Sequence, residues 1–302
     1  MSTASHADRE ALAGLIAGAV CIGFAPIFVR LVDVGYTAAA FWRVALSLPF
    51  LFALWFPRRR DPDSEEEPAA LRWLWLGGAS FAGDLAVWHQ SILHTSVANA
   101  TLLANLSPIF ITAASFFLYH ERVTWGFLVG LILALSGAAV LMADSFTISH
   151  ETLLGDMYGV IASVFYAGYL LGVSRLRKRH SAFEVMWWTT LACALTLLPI
   201  VWLLGEPMWP KSRSGWAVLL GLALVSHVGG QGLIAWALAH LPAAFSSVSL
   251  LVQPVAAAVF AWMLLAEPFG VQQVVGGAVV LAGIVLCRLA MAATLAMKSD
   301  ST

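Results

Sequence analysis

The sequence predicts an all-α integral membrane protein with ten transmembrane helices, arranged as two inverted five-helix repeats. Three observations carry this prediction: an apolar composition, ten apolar runs of bilayer length, and a segment that occurs twice. Of the 302 residues, 60% are hydrophobic and 11% are charged, whereas soluble domains have about 25% charged residues. The net charge of −1 also disfavours a nucleic-acid-binding protein, which would carry a basic surface.

A helix needs about 20 residues to cross a bilayer, and ten apolar runs meet this length. The first run has a longer apolar stretch than the core of a signal peptide, so we expect it to be retained as a helix. The predicted spans are residues 11–31, 37–57, 71–93, 98–119, 124–143, 153–174, 182–204, 214–238, 244–265 and 271–292.

Basic residues predict how the chain is oriented in the membrane. If each of the ten spans crosses once, 12 of the 16 Lys and Arg residues fall on the side that holds both termini, and 4 fall on the other side. Loops rich in Lys and Arg remain in the cytoplasm. We therefore predict a multi-pass protein of the cell's inner membrane, with the N- and C-termini in the cytoplasm.

One segment of the chain occurs twice. Pro108 is followed after 13 residues by Glu121, and Pro254 is followed after 13 residues by Glu267, so the copies are 146 residues apart. Each copy belongs to a set of five predicted spans, and an odd number of spans places the second set upside down relative to the first. Inverted repeats are the architecture of secondary transporters, whose halves exchange conformations. The repeat therefore predicts transport by alternating access.

The repeat also sets the predicted domain boundaries. Glycines spaced four residues apart, such as Gly14 and Gly18, permit close helix contacts, which we expect to form within a monomer. The predicted units are a cytoplasmic N-terminus at 1–10, a first repeat at 11–143, a linker at 144–152, a second repeat at 153–292 and a cytoplasmic tail at 293–302.

These features resemble a known family. The five-helix unit, the doubled Pro-to-Glu segment, the spacing of Gly130 and Gly137 in the fifth span and the Phe41-Trp42-Arg43 opening of the second span resemble the two tandem EamA units of the drug/metabolite transporter (DMT) superfamily. The resemblance covers nearly the whole chain. The Trp-rich third span and the ten-helix layout are similar to bacterial amino-acid exporters, including the aromatic amino-acid exporter type. The resemblance thus implies a transporter of small metabolites.

Polar side chains near the middle of the spans are the candidates for substrate binding, because such transporters bind their cargo near the membrane midplane, between the repeats. Pro108 and Pro254 remove backbone hydrogen bonds within their spans, so we predict gating hinges there. Glu121 and Glu267 lie at helix ends and are predicted to cap the following helices. The substrate-binding candidates are Asp84, Trp88, Asn105, Tyr166, Tyr169, His227, Gln231, Ser246, Ser249 and Gln253.

Several candidates have a second interpretation. An ionised Asp84 costs about 2.5 to 3.5 kcal/mol at the membrane centre, so it contacts a substrate ammonium group, takes part in proton coupling or pairs structurally, with His227 as a possible partner. His227 is also typical of a buried, hydrogen-bonded imidazole. Tyr166 and Tyr169 either line a cavity or pack between helices. The serines of the ninth span either bind substrate or let helices approach closely.

Arg43 is the one basic residue immersed near the start of a span. A long side chain at that position can extend to the outer surface, so we expect a structural role there, through backbone carbonyls or a carboxylate. The second repeat has Trp188-Thr189 where the first has Trp42-Arg43. Any role of the arginine therefore belongs to the first repeat alone.

The candidate lining predicts the class of cargo. It has no central Lys or Arg cluster to neutralise phosphates, and its aromatic faces beside hydroxyl, amide and carboxylate groups suit a small neutral or zwitterionic molecule. We expect export of apolar or aromatic amino acids or similar metabolites. A multidrug or cationic-compound transporter and a nucleotide-sugar-type transporter are the alternatives. The expected partners are the small-molecule substrate and the lipid bilayer, without nucleic acid.

An intramembrane enzyme is the competing class of function. His120 and Glu121 begin like a zinc-protease motif, but Thr124 stands where the second histidine would be. The three cysteines lie singly in apolar runs, which is typical of packing residues. The sequence therefore predicts no enzymatic activity, no cofactor and no metal. A non-transporting scaffold is the third class, and it would not need matched prolines at the midplane.

Overall fold

The computed structural model describes residues 6–56, 68–95, 97–119, 123–143 and 152–299. Glu121, the linker residues 144–151 and parts of both tails lie outside these ranges. Within them, the regular secondary structure is helical, as predicted. The elements are α1 His6–Gly23, α2 Ala25–Leu31, α3 Tyr36–Ala45, α4 Leu48–Trp55, α5 Pro68–His94, α6 Val97–Ala104, α7 Ser107–Tyr119, α8 Trp125–Met142, α9 Leu153–Leu176, α10 Ala182–Leu204, α11 Arg213–Gly221, a π-helix Leu222–Gln231, α12 Gly232–Ala237, α13 Ala243–Ser249, α14 Val252–Leu265 and α15 Val271–Ser299.

Apolar helices of bilayer length make this a multi-pass membrane protein. They match nine of the ten predicted spans. The remaining predicted span lies in α5, which at 27 residues is about 40 Å long. Asp84 and the tryptophans lower the mean hydropathy of this helix below that of the other spans. A tenth crossing therefore stays a prediction. The nine stretches found among the described residues are Asp8–Leu31, Tyr36–Trp55, Asn99–Phe117, Trp125–Met142, Leu153–Leu176, Ala182–Leu204, Arg213–Ala237, Ala243–Leu265 and Val271–Ala293.

The fourth and ninth spans are interrupted at equivalent places. The fourth breaks at residues 105–106, between α6 and α7, and the ninth breaks at residues 250–251, between α13 and α14. Pro108 and Pro254 lie in the first turn after each break, where a proline has no intrahelical hydrogen bond to lose. The predicted interruption is therefore present in both repeats, and the role of these prolines as hinges stays a prediction.

Other interruptions are found in only one repeat. The first span breaks at Phe24, two residues before Pro26, and the second breaks at residues 46–47, shortly before Pro49. The equivalent spans of the second repeat, α9 and α10, are continuous, and α10 runs through Pro199. The eighth span instead contains the π-helix, whose wider turn is common at functional sites. The repeats thus share one break and differ in the others.

Glycines join α8 to α15 by backbone contact. A Cβ added to Gly130 would lie 2.8 Å from the carbonyl oxygen of Gly283, and one added to Gly137 would lie 2.8 Å from that of Gly276. Gly130 and Gly276 occupy equivalent positions, as do Gly137 and Gly283, each pair being 146 residues apart. If the two repeats are exchanged, the Gly130–Gly283 contact therefore becomes the Gly276–Gly137 contact. Repeats related by a two-fold axis are expected to show this relation.

The remaining contacts between repeats follow the same exchange. Helix α5 packs against α9, and its equivalent, the span containing the π-helix, packs against α1. Helix α10 packs against α3 and α4, and α13 packs against α7, so the second and seventh spans meet, as do the fourth and ninth. The core is formed by these contacts between repeats, and the cavity described below lies among them.

Loops from both repeats are joined at one end of the molecule. The Glu206 carboxylate accepts hydrogen bonds from the backbone N–H groups of Thr37 (2.8 Å) and Ala38 (3.0 Å), in the first turn of α3. Conversely, Asp33 accepts from the Lys211 N–H (3.1 Å) and the Ser212 hydroxyl (2.9 Å), just before α11. Each repeat therefore supplies a carboxylate to a helix start of the other, which stabilises the free N–H groups there.

Glu267 lies close to the same end, after α14. Its carboxylate forms an ion pair with Arg30 of α2. At the start of α15, the side-chain oxygen of Gln273 accepts the Gly270 N–H at 2.8 Å. The observed partner of this glutamate is a side chain of the first repeat, and its role in capping the following helix stays a prediction.

Candidate functional site

A cavity lies between the two repeats, and its volume is about 910 Å³ with the space at its mouth included. The helix interruptions surround it. Its lining includes Ile22 and Pro26 beside the first break, Ala104 beside the fourth-span break and Pro254 beside the ninth-span break. Backbone that leaves the helix inside a membrane is tolerated where it lines a cavity or is buried in protein. The prolines and the cavity are therefore parts of one arrangement.

Six of the ten substrate-binding candidates line this cavity. Pro254 lines it as well, whereas Pro108 does not belong to the lining. The first repeat contributes three of the six side chains and the second contributes the other three. These six residues are Asp84, Trp88, Asn105, Tyr166, Gln231 and Gln253.

Tyr169 and His227 lie outside the cavity lining. The Tyr169 ring stacks on Phe81 at 4.6 Å between centroids, and its hydroxyl lies 3.9 Å from the Met186 sulfur. The His227 Nε2 atom is 2.8 Å from the Thr190 hydroxyl oxygen. Both side chains are nearly fully buried. The packing interpretation therefore describes the position of each better than direct contact with substrate does.

His227 and Gln231 lie four residues apart in the π-helix Leu222–Gln231. Residues four apart on a helix share one face, so the sequence predicts that both side chains point the same way. In the structure, Gln231 lines the cavity, whereas the His227 ring packs against Thr190 of α10.

Ser246 and Ser249 also lie outside the cavity lining. Both are buried in α13, which packs against α7, α15, α1 and α9. The Ser249 hydroxyl donates to the Phe245 carbonyl at 3.0 Å, whereas the Ser246 hydroxyl oxygen is buried without a hydrogen-bond partner. Small residues here let α13 approach four other helices closely.

Two cavity residues were missed by the sequence reasoning. Arg43 does not extend to the surface, and that expectation is wrong: the residue is 8% exposed, and its Cζ atom lies 5.7 Å from the centroid of the Phe81 ring. It lies seven residues into α3, about 10 Å from the helix start. This depth could have shown from the sequence that the side chain is too far inside to reach the surface. His89 is 2% exposed and packs between the Trp88 and Tyr36 rings.

Opposite charges share the cavity without forming a close pair. Arg43 and Asp84 both line it and are near enough to interact electrostatically. Within the described structure, however, the two side chains form no ion pair with each other; the pairs found there include Arg30–Glu267 and His180–Glu184. The Nε atom of Arg43 is buried without a hydrogen-bond partner. Both charges are therefore available to a third group inside the cavity.

The second repeat contributes neutral groups to the same cavity. The Tyr166 hydroxyl lies beside the side-chain amides of Gln231 and Gln253. The Gln231 oxygen and the Gln253 nitrogen are buried without hydrogen-bond partners within the described structure. From the first repeat, the Asn105 amide nitrogen donates to the Thr101 carbonyl at 2.8 Å. The cavity thus combines two charges, unsatisfied amides and aromatic faces.

The described residues contain no candidate metal site. No group of three or more His, Cys, Asp or Glu side chains is arranged there to hold a metal ion. The polar groups of the cavity are instead a guanidinium, a carboxylate, amides, a phenol and an imidazole. These groups bind organic functional groups through hydrogen bonds and charge.

Comparison with known proteins gives relatives that are transporters. The chain is 26% identical to the pseudopaline exporter CntI of Pseudomonas aeruginosa over 205 residues, or 68% of this chain and 70% of the relative. It is 30% identical over 199 residues to a probable terminal-alkyne amino-acid exporter of Streptantibioticus cattleyicolor, covering 64% and 65% of the two chains. A solved crystal structure matches with a TM-score of 0.76 at 18% identity, covering 95% of this chain and 98% of that one; this shows that the fold is shared.

A family model matches both halves of the chain. The description of that model is EamA-like transporter family, and the matched residues are 10–143 and 153–289. The two matches agree with the two-fold exchange of contacts between the repeats. The chain therefore belongs to the EamA-like transporter family of the DMT superfamily, as a multi-pass transporter of small molecules.

Proposed function

We propose that the chain exports amino acids, chiefly apolar or aromatic ones, or similar small metabolites across the inner membrane by alternating access. The observation that carries this proposal is the cavity between the repeats, in which charges, amides and aromatic faces meet at the helix interruptions. An ammonium and a carboxylate group need such polar partners, and an apolar side chain needs the aromatic walls. The relative named as an amino-acid exporter supports the same class of cargo.

Asp84 binds the ammonium group of the cargo in this proposal. It lines the cavity beside Trp88, which is one helical turn further along α5. A carboxylate and the face of an aromatic ring both attract a cation. Tyr166, together with the amides of Asn105, Gln231 and Gln253, holds the polar groups of the cargo from other sides.

Movement in the proposed cycle uses the matched interruptions. Pro108 and Pro254 follow breaks in equivalent spans of the two repeats. Discontinuous helices at the repeat interface are typical of transporters that open a central site to alternate sides. Pro254 also lines the cavity, so a change of angle at this break would reshape the binding site directly.

The proposed orientation places both termini in the cytoplasm. The excess of Lys and Arg on that side supports it. The loops that hold Asp33 and Glu206 then lie on the outer side, together with the Arg30–Glu267 ion pair. Glycine contacts such as those of α8 with α15 are formed within one chain, which supports a monomer as the working unit.

An exporter of organic cations is the second candidate. Asp84 beside aromatic faces is the observation that favours it, because a carboxylate and ring faces are common ligands of quaternary or protonated amines. Arg43 in the same cavity argues against a purely cationic cargo, since two positive charges would repel each other in a medium of low dielectric constant.

The test is counterflow in proteoliposomes that contain the purified protein. The panel consists of labelled amino acids, nucleotide sugars and cationic drugs, and protein-free liposomes serve as the control. We expect exchange of apolar or aromatic amino acids. Flux of cationic drugs or nucleotide sugars without flux of any amino acid would overturn the substrate class, and the absence of flux for every compound would favour a scaffold.

A further inference from the structure

Arg43 is a buried charge that the proposed function does not yet use. It lies in α3, is 8% exposed and has an Nε atom without a hydrogen-bond partner. Burying a guanidinium without a carboxylate partner is costly, and such groups within membranes are normally found where they act on a substrate or another charge. The position therefore calls for a partner that the chain itself does not supply at close range.

Asp84 is the opposite charge in the same cavity, and it lies in the neighbouring helix α5. The described residues contain no ion pair between these two side chains, although both line the same cavity. A direct pair would satisfy both charges and leave neither for a ligand. Two separated charges of opposite sign instead match a molecule that carries an anionic group and a cationic group.

The facing wall is polar but uncharged. Gln231 and Gln253 line it from the second repeat, and one polar atom of each is buried without a partner. Such amides can bond to either pole of a ligand, because each has both a donor and an acceptor. Only the first repeat therefore supplies side chains that distinguish a positive from a negative group of the ligand.

We propose that Arg43 binds the carboxylate of the cargo while Asp84 binds its ammonium group, so that the cavity selects zwitterions over cations and anions of the same shape. This proposal rests on the proposed function. It makes Arg43 a specificity-determining residue: a cargo without a carboxylate leaves the guanidinium without its partner, and a cargo without an amine leaves the Asp84 carboxylate without its partner.

The alternative role of Arg43 is structural. The residue lies in the last turn of α3, where a basic side chain stabilises the carbonyl end of the helix, and its guanidinium packs on the Phe81 ring. A residue with this role alone would stabilise the fold and would not distinguish between ligands. Ligand selectivity and thermal stability therefore separate the two roles.

The test measures binding of labelled phenylalanine to the purified protein, with competition by phenylalanine, by phenethylamine, which lacks the carboxylate, and by 3-phenylpropanoate, which lacks the amine. In the wild-type protein, we expect phenylalanine to compete better than both analogues. In Arg43→Gln, we expect the affinity for phenylalanine to fall about 10- to 100-fold, while the affinity for phenethylamine is unchanged or improved. Arg43→Lys keeps the charge and should retain part of the preference for phenylalanine.

Arg30→Gln is the matched control, because Arg30 lies outside the cavity lining and pairs with Glu267; its ligand preference should equal that of the wild type. Thermal unfolding of each variant is measured in the same detergent, and Arg43→Gln should unfold at or above the wild-type temperature. Equal losses for phenylalanine and phenethylamine in Arg43→Gln, or a lowered unfolding temperature with unchanged selectivity, would overturn the role of Arg43 and leave the proposed function standing. A wild-type protein that binds no amino acid would instead overturn the proposed function.

Discussion

The two repeats share their backbone design and differ in the chemistry of their side chains. Both have a helix interruption followed by a proline, at Pro108 and at Pro254. The charges, by contrast, come from the first repeat alone. Thr189 stands at the position equivalent to Arg43, and Gly230 stands at the position equivalent to Asp84, each 146 residues later.

This difference separates two requirements of a transporter. An inverted pair can exchange conformations only if both halves bend at corresponding places, so the backbone features are kept in common. A small zwitterion has no such symmetry, and its two poles need different partners. Symmetry of the backbone therefore serves movement, and asymmetry of the lining serves binding.

The largest effect is expected from Asp84→Asn, which removes the anionic group that binds the cargo's ammonium. Truncating one partner of a buried charge pair typically costs about 2 to 5 kcal/mol, so we expect flux of the amino-acid cargo to fall about 30-fold or more, or its pH dependence to change. The measurement is counterflow in proteoliposomes across a range of pH. Asp156→Asn is the control, because Asp156 bonds to Thr95 and Asn99, away from the cavity. Wild-type flux and an unchanged pH profile in Asp84→Asn would remove this residue from the mechanism.

The second-largest effect is expected from alanine substitutions at the glycines that join α8 to α15, to which both repeats contribute equivalent residues. A Cβ at Gly137 would lie 2.5 Å from the Val280 backbone nitrogen, and one at the equivalent Gly283 would lie 2.5 Å from that of Ala134. Each alanine substitution should therefore destabilise the protein by about 1 to 3 kcal/mol, seen as a lower temperature of thermal unfolding in detergent.

Gly232→Ala is the matched control for these glycines. This residue is helical, and a Cβ added there meets nothing within 4 Å, so the substitution should be neutral or slightly stabilising. A large loss at only one of Gly137 and Gly283 would show that the two halves of the contact are not equivalent.

The third effect compares the two prolines. Pro108→Ala and Pro254→Ala remove the ring that would clash with the carbonyl group four residues earlier in a continuous helix, so each break can close, and we expect each to slow flux several-fold while the variants still bind cargo. Counterflow rates and equilibrium binding are measured for both. Pro199→Ala serves as the control, since α10 is continuous through that proline. Wild-type flux in both Pro108→Ala and Pro254→Ala would show that gating does not depend on the matched breaks.

The smallest effect concerns the loop of the second repeat that caps α3. Glu206→Gln keeps a neutral acceptor and loses the charge near the Thr37 and Ala38 N–H groups, so we expect a loss of about 0.5 to 1 kcal/mol in stability. Thermal unfolding of the variant and of the wild-type protein in the same detergent measures it. An unchanged unfolding temperature for Glu206→Gln would show that this capping contact contributes little.

The backbone design was predictable from the sequence because it depends on local chemistry. Proline and glycine act through their own residue and its nearest turn, so matched copies such as Gly137 and Gly283 are visible without knowing the fold. The residues that each glycine meets across the repeat interface, such as Gly276 for Gly137, are known only from the fold. The carboxylate of Glu206 could not be assigned to α3 either, since the helix start lies 169 residues away from it.

The lining was only partly predictable, because it depends on which neighbour faces each helix. Tyr166 and Tyr169 are three residues apart on one stripe, yet one lines the cavity and the other packs on Phe81. Periodicity assigns both to the same face and cannot distinguish them. Likewise, His227 and Gln231 are four residues apart, yet only Gln231 lines the cavity. Arg43 packs on Phe81 of a different helix, a contact that the sequence of α3 does not reveal.

The central claim is that the two repeats form opposite walls of one cargo site. It is tested by alkylation of two introduced cysteines, Ala104→Cys in the first repeat and Ala257→Cys in the second, both at partly exposed positions of the cavity lining. Lys211→Cys, at an exposed position in the loop before α11, controls for general changes in reactivity. We predict that phenylalanine slows alkylation at both cavity positions with the same half-maximal concentration and leaves the control unchanged. Protection at neither position, or at only one, would contradict a shared site.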